Sequence, residues 1–424
     1  MKENIGFVGL GKLGLPVAMA INSRGYYVSG YDINPAVSDY ISDKKIPYQE
    51  EHMDELFKDH TVDFKSMEEV VNNSDIVFVP VQTPHDPLYE GTTRIPDTRV
   101  DFNYESLVAA IKAISEIVDQ SGKDKIVVII STVLPGTIEK YIKPVLSKNI
   151  KLCYNPFFIA MGTTIKDFLN PEFILLGVDD EDAANKVISF YSNIHNKRVF
   201  KTTVKNAELI KVSYNTFIGM KIVYANTLME ICHKTGCDID QVIDAISLAD
   251  ERLISPKYLR GGMGDGGGCH PRDNIAMSWL AKKLDLSHDF FDDLMAARED
   301  QTEWLADLCL SYNLPVVILG KSFKPETNIQ TGSPSILLYN ILKEKIEVDI
   351  FDPIADGEEI YRKEISEKIN PENSYVYFVG TQHRVFNDFE FNSNSVVIDP
   401  FRYIQETEYH RENNIKIVNI GKGL

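Results

Sequence analysis

Residues 4–35 read NIGFVGLGKLGLPVAMAINSRGYYVSGYDINP, and this stretch decides the fold class. An apolar run of strand length meets a glycine turn, an amphipathic helix follows, and a second apolar run ends at Asp32. That is a βαβ unit. Gly9, Gly11 and Gly14 stand in G-x-G-x-x-G register, Pro16 occupies a position where a first helical turn tolerates a missing N–H, and Asp32 lies 18 residues beyond the last glycine. In that setting the glycines let the backbone approach a pyrophosphate and the helix N-terminus stabilises its charge. Asp32 accepts from an adenine ribose 2′-OH and repels a 2′-phosphate. The turn residues Gly9, Gly11, Lys12, Leu13 and Gly14, with Asp32, are therefore expected to bind NAD rather than NADP.

Further strands are expected at DIVFVPVQTP (75–84) and KIVVIISTVLPGT (125–137). Each ends in small hydroxyl or proline residues, which places Thr83 and Thr132 on the cofactor side, although a threonine at a strand end also serves simply to cap a turn. VKNAELIKVSYNTFIGMKIVYANTLMEICHK (204–234) reads as one long helix, with Lys211 and Asn215 one turn apart on a shared face. By spacing alone that pair also fits a solvated helix edge. The last third restarts the pattern with LPVVILGKSFKP, KIEVDIFDP, SYVYFVGTQ and SVVIDPFRYI, four short apolar strands without a second G-x-G-x-x-G.

The expected architecture is α/β: two Rossmann-like, doubly wound domains joined by a long central helix and a helical domain. Its boundaries are 1–200 for the NAD domain, 201–300 for the central domain and 301–424 for a C-terminal domain that binds something other than the redox cofactor, or only a mononucleotide. The chain has 424 residues, enough for two or three cores. A net charge of −18 excludes a general binder of nucleic acid or anionic membranes, since both need excess Lys and Arg on one face. The sequence shows neither an export signal nor 18 consecutive apolar residues, and its five cysteines are few and unclustered, so a cytoplasmic setting with reduced thiols is expected.

Residues 261–273, GGMGDGGGCHPRD, put six glycines in eight positions ahead of Cys269. Such a run is either a flexible surface loop with a stray thiol or a backbone shaped to present a nucleophile. GLGKLGLP, VPVQTP, STVLPGT, DFLNPEFILLG, NAELIKVSYNTF, GDGGGCHPRD and FKPETN…SPS, in this order, resemble the nucleotide-sugar 6-dehydrogenases, the family of UDP-glucose and UDP-N-acetylmannosamine dehydrogenases. The likeness spans nearly the whole chain.

It implies oxidation of a sugar C6 alcohol to a carboxylate with two NAD, through a thiohemiacetal and thioester on Cys269. Lys211 and Asn215 would donate to the C6 oxyanion, and Asp273 would orient water or act as base. Thr132 would hold that water or the C6 oxygen. The same resemblance makes Gly266, Tyr258 and Lys324 substrate contacts, with Lys324 on the phosphates and the glycine loop wrapping the sugar. It makes Arg252 a contact across a homodimer interface, the dimer being built on the long helix.

Three positions depart from the family pattern. Phe157, in NPFFIAMG, stands where a water-activating glutamate is expected, Thr331 where a ligand-contacting arginine is expected, and His270 where an apolar or aromatic neighbour of the cysteine is usual. A two-domain β-hydroxyacid-type dehydrogenase and a non-catalytic nucleotide-sugar binder are the alternatives.

Overall fold

The computed structural model describes residues 2–84, 100–255, 261–266 and 270–422. The chain divides into two compact units, Met1–Met220 and Lys221–Leu424. The first holds strands β1 (Ile5–Val8), β2 (Val28–Tyr31), β3 (Asp63–Phe64), β4 (Ile76–Val79), β5 (Lys125–Ile129), β6 (Ile150–Tyr154), β7 (Ile174–Val178) and β8 (Val199–Thr203). They form one sheet in the order β3-β2-β1-β4-β5-β6-β7-β8, parallel except where β6 meets β7.

Side chains alternate across this sheet because successive Cβ atoms point to opposite faces. Ile76 and Phe78 of β4 join one hydrophobic cluster, and Val77 and Val79 join the other. On β5, Ile126 and Val128 go one way and Val127 and Ile129 the other. Both faces are thus covered by helices, and each fully buried Val, Ile or Phe contributes about 1.5–3 kcal/mol. The winding reverses between β1 and β4, and a crevice at the carboxyl ends of the strands is the expected ligand position at such a reversal.

The second unit carries β9 (Val316–Leu319), β10 (Val348–Phe351), β11 (Val376–Val379), β12 (Val396–Asp399) and β13 (Lys416–Asn419) in a wholly parallel sheet of order β10-β9-β11-β12-β13. Val317, Leu319, Tyr377 and Val379 face one cluster, and Val316, Ile318, Val376 and Phe378 the other. This is a second doubly wound sheet, with its reversal between β9 and β11. The helix Val204–Thr235 runs unbroken across the unit boundary, as its lack of proline predicts. The helices Ile239–Ser247, His270–Lys283 and Phe290–Leu310 follow it.

Candidate functional site: a dinucleotide cradle and a lysine–asparagine helix face

A cavity of about 700 Å³ lies at the carboxyl ends of β1, β2 and β4, where the winding reverses, and is lined among others by Gly9, Leu10, Gly11, Lys12 and Asp32. The three glycines have separate reasons for being glycine. Gly9 takes φ +113°, which only glycine adopts readily, and this turns the chain out of β1. A Cβ on Gly11 would meet nothing within 4 Å, so that stretch of backbone faces open space. A Cβ on Gly14 would sit 2.2 Å from the Gly9 carbonyl oxygen, so glycine there lets helix Gly14–Asn22 close against the strand.

Leu13 precedes that helix, and no side chain caps its N-terminus, leaving the first-turn N–H groups for an anion. Asp32 accepts from Leu10 N–H at 2.7 Å and from Asn34 N–H at 2.8 Å, which fixes the carboxylate at the end of β2 with lone pairs to spare. The residues thus fit a dinucleotide: a backbone edge open for pyrophosphate and a held carboxylate for a ribose diol. Thr83 and Thr132 come together at the neighbouring strand ends, where the Thr83 hydroxyl donates to the Thr132 carbonyl at 2.7 Å.

Lys211 and Asn215 both line a second cavity of the first unit, about 300 Å³, together with Phe158, Glu172 and Tyr214. Lys211 is buried. Its Nζ donates to the Phe157 carbonyl at 2.7 Å and lies 5.1 Å from the centre of the Phe158 ring. Burial pulls its pKa below the ordinary lysine value. One turn earlier, the buried carboxylate of Glu208 accepts from the N–H groups of Gly136 and Ile138 at 2.5 and 2.8 Å. It thereby ties the loop carrying Thr132 to the helix carrying Lys211. Burial raises the Glu208 pKa, against the pull of those two bonds.

Phe157 sends its ring away from a polar role and packs on Phe168 at 5.6 Å. Among the described residues two carboxylates line the cavity, and Asp167 is committed to the Ala160 N–H and the Thr163 hydroxyl. Glu172 is the other, beside Tyr214, whose pKa is raised by burial first and by this neighbour second.

In the second unit the chain leaves β9 at the winding reversal and runs through the segment carrying Lys324, which is exposed, as is Thr331. The fully buried Asp352 anchors the start of this segment, accepting from the N–H groups of Lys321 and Ser322. His383, also buried, accepts the Glu326 N–H on Nδ1, so its ring proton sits on Nε2 and is donated to Asp352 at 3.1 Å. Burial alone would raise the Asp352 pKa, but the bonds from His383, Ala355 and Ser322 outweigh it and hold the carboxyl well below the usual range.

Arg252 is exposed in the turns after helix Ile239–Ser247. Gly266 lies against Phe323 and the Gly332 carbonyl, within the second unit. Asp273 lies in the first turns of helix His270–Lys283, whose start is at His270. Cys269 and Tyr258, and the side chains of Asp273 and His270, lie outside the described residues. Of the other cysteines, Cys153 and Cys309 are buried with thiols pushed up to about 12 by burial. Sequence reading missed Glu208, Asp352 and His383. Only Glu208 left a local trace, as a lone acid within an otherwise apolar turn before Lys211.

Fold and cradle together define a dinucleotide-dependent dehydrogenase that carries a second doubly wound unit. Comparison with known proteins narrows the class. Residues 3–195 match the NAD binding domain, and residues 205–299 the central domain, of the UDP-glucose/GDP-mannose dehydrogenase family. The chain belongs to that family, is an NAD-dependent nucleotide-sugar dehydrogenase, and takes NAD as its cofactor.

Among its relatives are the UDP-glucose 6-dehydrogenase YwqF of Bacillus subtilis, 28% identical over 83% of this chain and 80% of the relative, and the GDP-mannose 6-dehydrogenase of Pseudomonas aeruginosa, 29% identical over 82% and 80%. The solved ternary complex of GDP-mannose dehydrogenase from P. aeruginosa superposes with a TM-score of 0.85 at 24% identity, covering 98% of this chain and 99% of that one. The UDP-glucose dehydrogenase of Pyrobaculum islandicum gives 0.54 at 23%, covering 99% and 97%. At these identities the structural likeness speaks for the fold alone. No helix among the described residues is long and apolar enough to cross a membrane.

Proposed function

We propose that the chain oxidises the C6 alcohol of a nucleotide hexose to the carboxylate, consuming one water and two NAD per sugar and releasing three protons. The observation that carries this reading is the sharing of one cavity by Lys211 and Asn215. Bound NAD supplies the hydride acceptor in both oxidations. Lys211 and Asn215 donate to the oxygen that becomes an alkoxide and later a thiohemiacetal oxyanion, where fixed donors in a dry site are worth several kcal/mol. The Cys269 thiolate adds to the C6 aldehyde, and loss of the second hydride leaves a thioester that water cleaves. Asp273 activates or orients that water, and Thr132 holds it or the C6 oxygen. The family resemblance is what points to Cys269 as the nucleophile; of the other cysteines, Cys153, Cys232 and Cys309 are buried and Cys237 is exposed.

Gly9, Gly11, Lys12, Leu13, Gly14, Asp32, Thr83 and Thr132 serve the cofactor. Gly266, Tyr258 and Lys324 serve the sugar nucleotide, with 1–200, 201–300 and 301–424 as cofactor, central and sugar-nucleotide domains. The chain works in the cytoplasm as a homodimer on the long helix, with Arg252 reaching the second copy. Supporting this, Met220 and Tyr224 lie one turn apart on the helix and are both more than a third exposed.

The test is incubation with NAD and UDP-glucose, UDP-N-acetylmannosamine or GDP-mannose, reading NADH per product by absorbance and mass spectrometry. Two NADH per uronate are expected with one of the three. One NADH per aldehyde, or none with any sugar, overturns the reading, as does acid formation by Cys269→Ala at the wild-type rate.

A further inference from the structure

The glycine-rich segment ahead of Cys269 is gripped by its own unit. A Cβ on Gly262 would lie 2.7 Å from the Phe401 ring, one on Gly264 would lie 3.1 Å from Arg298 Cγ, and one on Gly266 would lie 2.8 Å from Phe323 Cβ and 3.0 Å from the Gly332 carbonyl oxygen. Arg298, on helix Phe290–Leu310, ties these pieces together. Its side chain is 11% exposed, and its Nε sits 2.8 Å from the Asp265 carboxylate and donates to the Asp265 carbonyl at 3.1 Å. One terminal nitrogen donates to the Gly332 carbonyl at 3.0 Å. One rigid guanidinium fork therefore spans from the glycine loop to the residue after Thr331, the position where the family resemblance expects an arginine.

We infer that Arg298 is a positioning residue for sugar-nucleotide binding, stapling the glycine loop to the Phe323–Gly332 segment that carries Lys324. The inference rests on the proposed function for what these two segments bind. The staple itself rests on geometry. A guanidinium is suited to it because its donors are fixed in a plane and reach two carbonyls and a carboxylate at once, whereas an ammonium is a single point charge. With the fork gone, Lys324 and the loop before Cys269 must be ordered by the ligand, which lowers affinity without touching the chemistry.

The experiment measures UDP and GDP binding by calorimetry, NAD binding separately, and amide exchange over residues 261–266 and 323–332, in wild type, Arg298→Ala, Arg298→Lys and Asp265→Asn. Expected are a loss of nucleotide affinity of about 10- to 100-fold in both Arg298 variants, as for removal of charge-assisted hydrogen bonds, and faster exchange in both segments. NAD affinity should be unchanged, and Asp265→Asn, which keeps the carbonyl bond, should show a smaller loss. KM for the sugar nucleotide should rise with kcat nearly kept. Wild-type affinity and exchange in Arg298→Lys would overturn the staple, leaving charge alone as the requirement. Should neither UDP nor GDP bind the wild-type protein, the proposed substrate class fails, and the exchange data still decide the staple. If Arg298→Ala does not fold, Arg298→Lys and Asp265→Asn carry the same comparison.

Discussion

Alanine at Gly11 and at Gly14 should separate cofactor binding from folding, although both glycines belong to one motif. At Gly14 the new methyl would meet the Gly9 carbonyl oxygen at 2.2 Å and Pro80 Cγ at 3.0 Å. The first of these is backbone, so the helix or the strand turn must move by about an ångström, and overpacking of that kind costs about 3 kcal/mol. For a unit of 220 residues this corresponds to a fall in Tm of roughly 6–12 °C. At Gly11 the methyl meets nothing within 4 Å, and the residue's φ is not positive. Gly11→Ala should therefore melt at or slightly above the wild-type temperature, since alanine narrows the unfolded ensemble. Its methyl would occupy the space through which the backbone approaches the pyrophosphate. Loss of one charge-assisted hydrogen bond then weakens NAD by about 10- to 100-fold. Differential scanning fluorimetry and titration of NAD by intrinsic fluorescence read the two quantities. Undiminished NAD affinity in Gly11→Ala, or an unchanged Tm in Gly14→Ala, would refute this reading of the cradle.

In the proposed reaction Lys211 stabilises the C6 oxyanion best while charged, and burial lowers its pKa, so kcat should fall as pH rises through a value below the ordinary lysine range. Lys211→Met should cost about 10²-fold or more in kcat at pH values where Lys211 is charged, the deficit shrinking as pH rises past its lowered pKa, with NAD affinity kept. Asp352 has a depressed folded pKa, so its stabilisation is present above the unfolded value of about 4 and is lost as pH falls through the folded one. Asp352→Asn should destabilise the second unit by about 2–4 kcal/mol at pH 7, the difference from wild type shrinking in acid melts below about pH 4. Met220→Glu should convert the proposed dimer to a monomer by light scattering, and a wild-type monomer at micromolar concentration would remove the interface. Phe157 cannot accept a proton, so deacylation should be slow, giving a burst of NADH and a Cys269 adduct by intact mass spectrometry. Fast acid formation with neither would show that Glu172 or Asp273 suffices.

The fold was legible wherever local pattern and burial agree. β1, β2, β4 and β5 and the strands β9, β11 and β12 announce themselves as apolar runs and are largely buried, while the long helix and the half-buried β10 were legible from pattern alone. Two interior strands, β6 and β7, went unassigned although they are apolar and buried, and the other three missed strands are different in kind. β3 is two residues long, β8 alternates with exposed residues at the sheet edge, and β13 carries Lys416 on the opposite edge of the second sheet. Edge strands need only one covered face, so their sequences lack a continuous apolar signal. The antiparallel turn from β6 to β7 leaves no trace in composition at all, because direction follows from the path of the connecting chain. The same distinction separates the site residues. Gly9, Gly11 and Gly14 act on one another across a few residues and could be assigned from spacing. Glu208 acts on Gly136 across 72 residues and Asp352 on Lys321 across 31, and no local pattern records such partners.

The glycines ahead of Cys269 show how one composition can carry two different physical meanings. Read alone, six glycines in eight positions suggest freedom: a loop that flexes, or that wraps a sugar. Freedom of φ is what Gly9 uses, at +113°, but Gly262, Gly264 and Gly266 do not take positive φ. A ring at Gly262 and a side chain with neighbouring backbone at Gly266 stand within 3.0 Å of where a Cβ would sit, the Arg298 stem comes to 3.1 Å at Gly264, and only Gly261 among the described glycines of the run faces open space. Dense glycine here permits close packing, and close packing restricts motion. The Arg298 guanidinium already holds Gly332, so the segment's place in the unit does not depend on the side chain of Thr331.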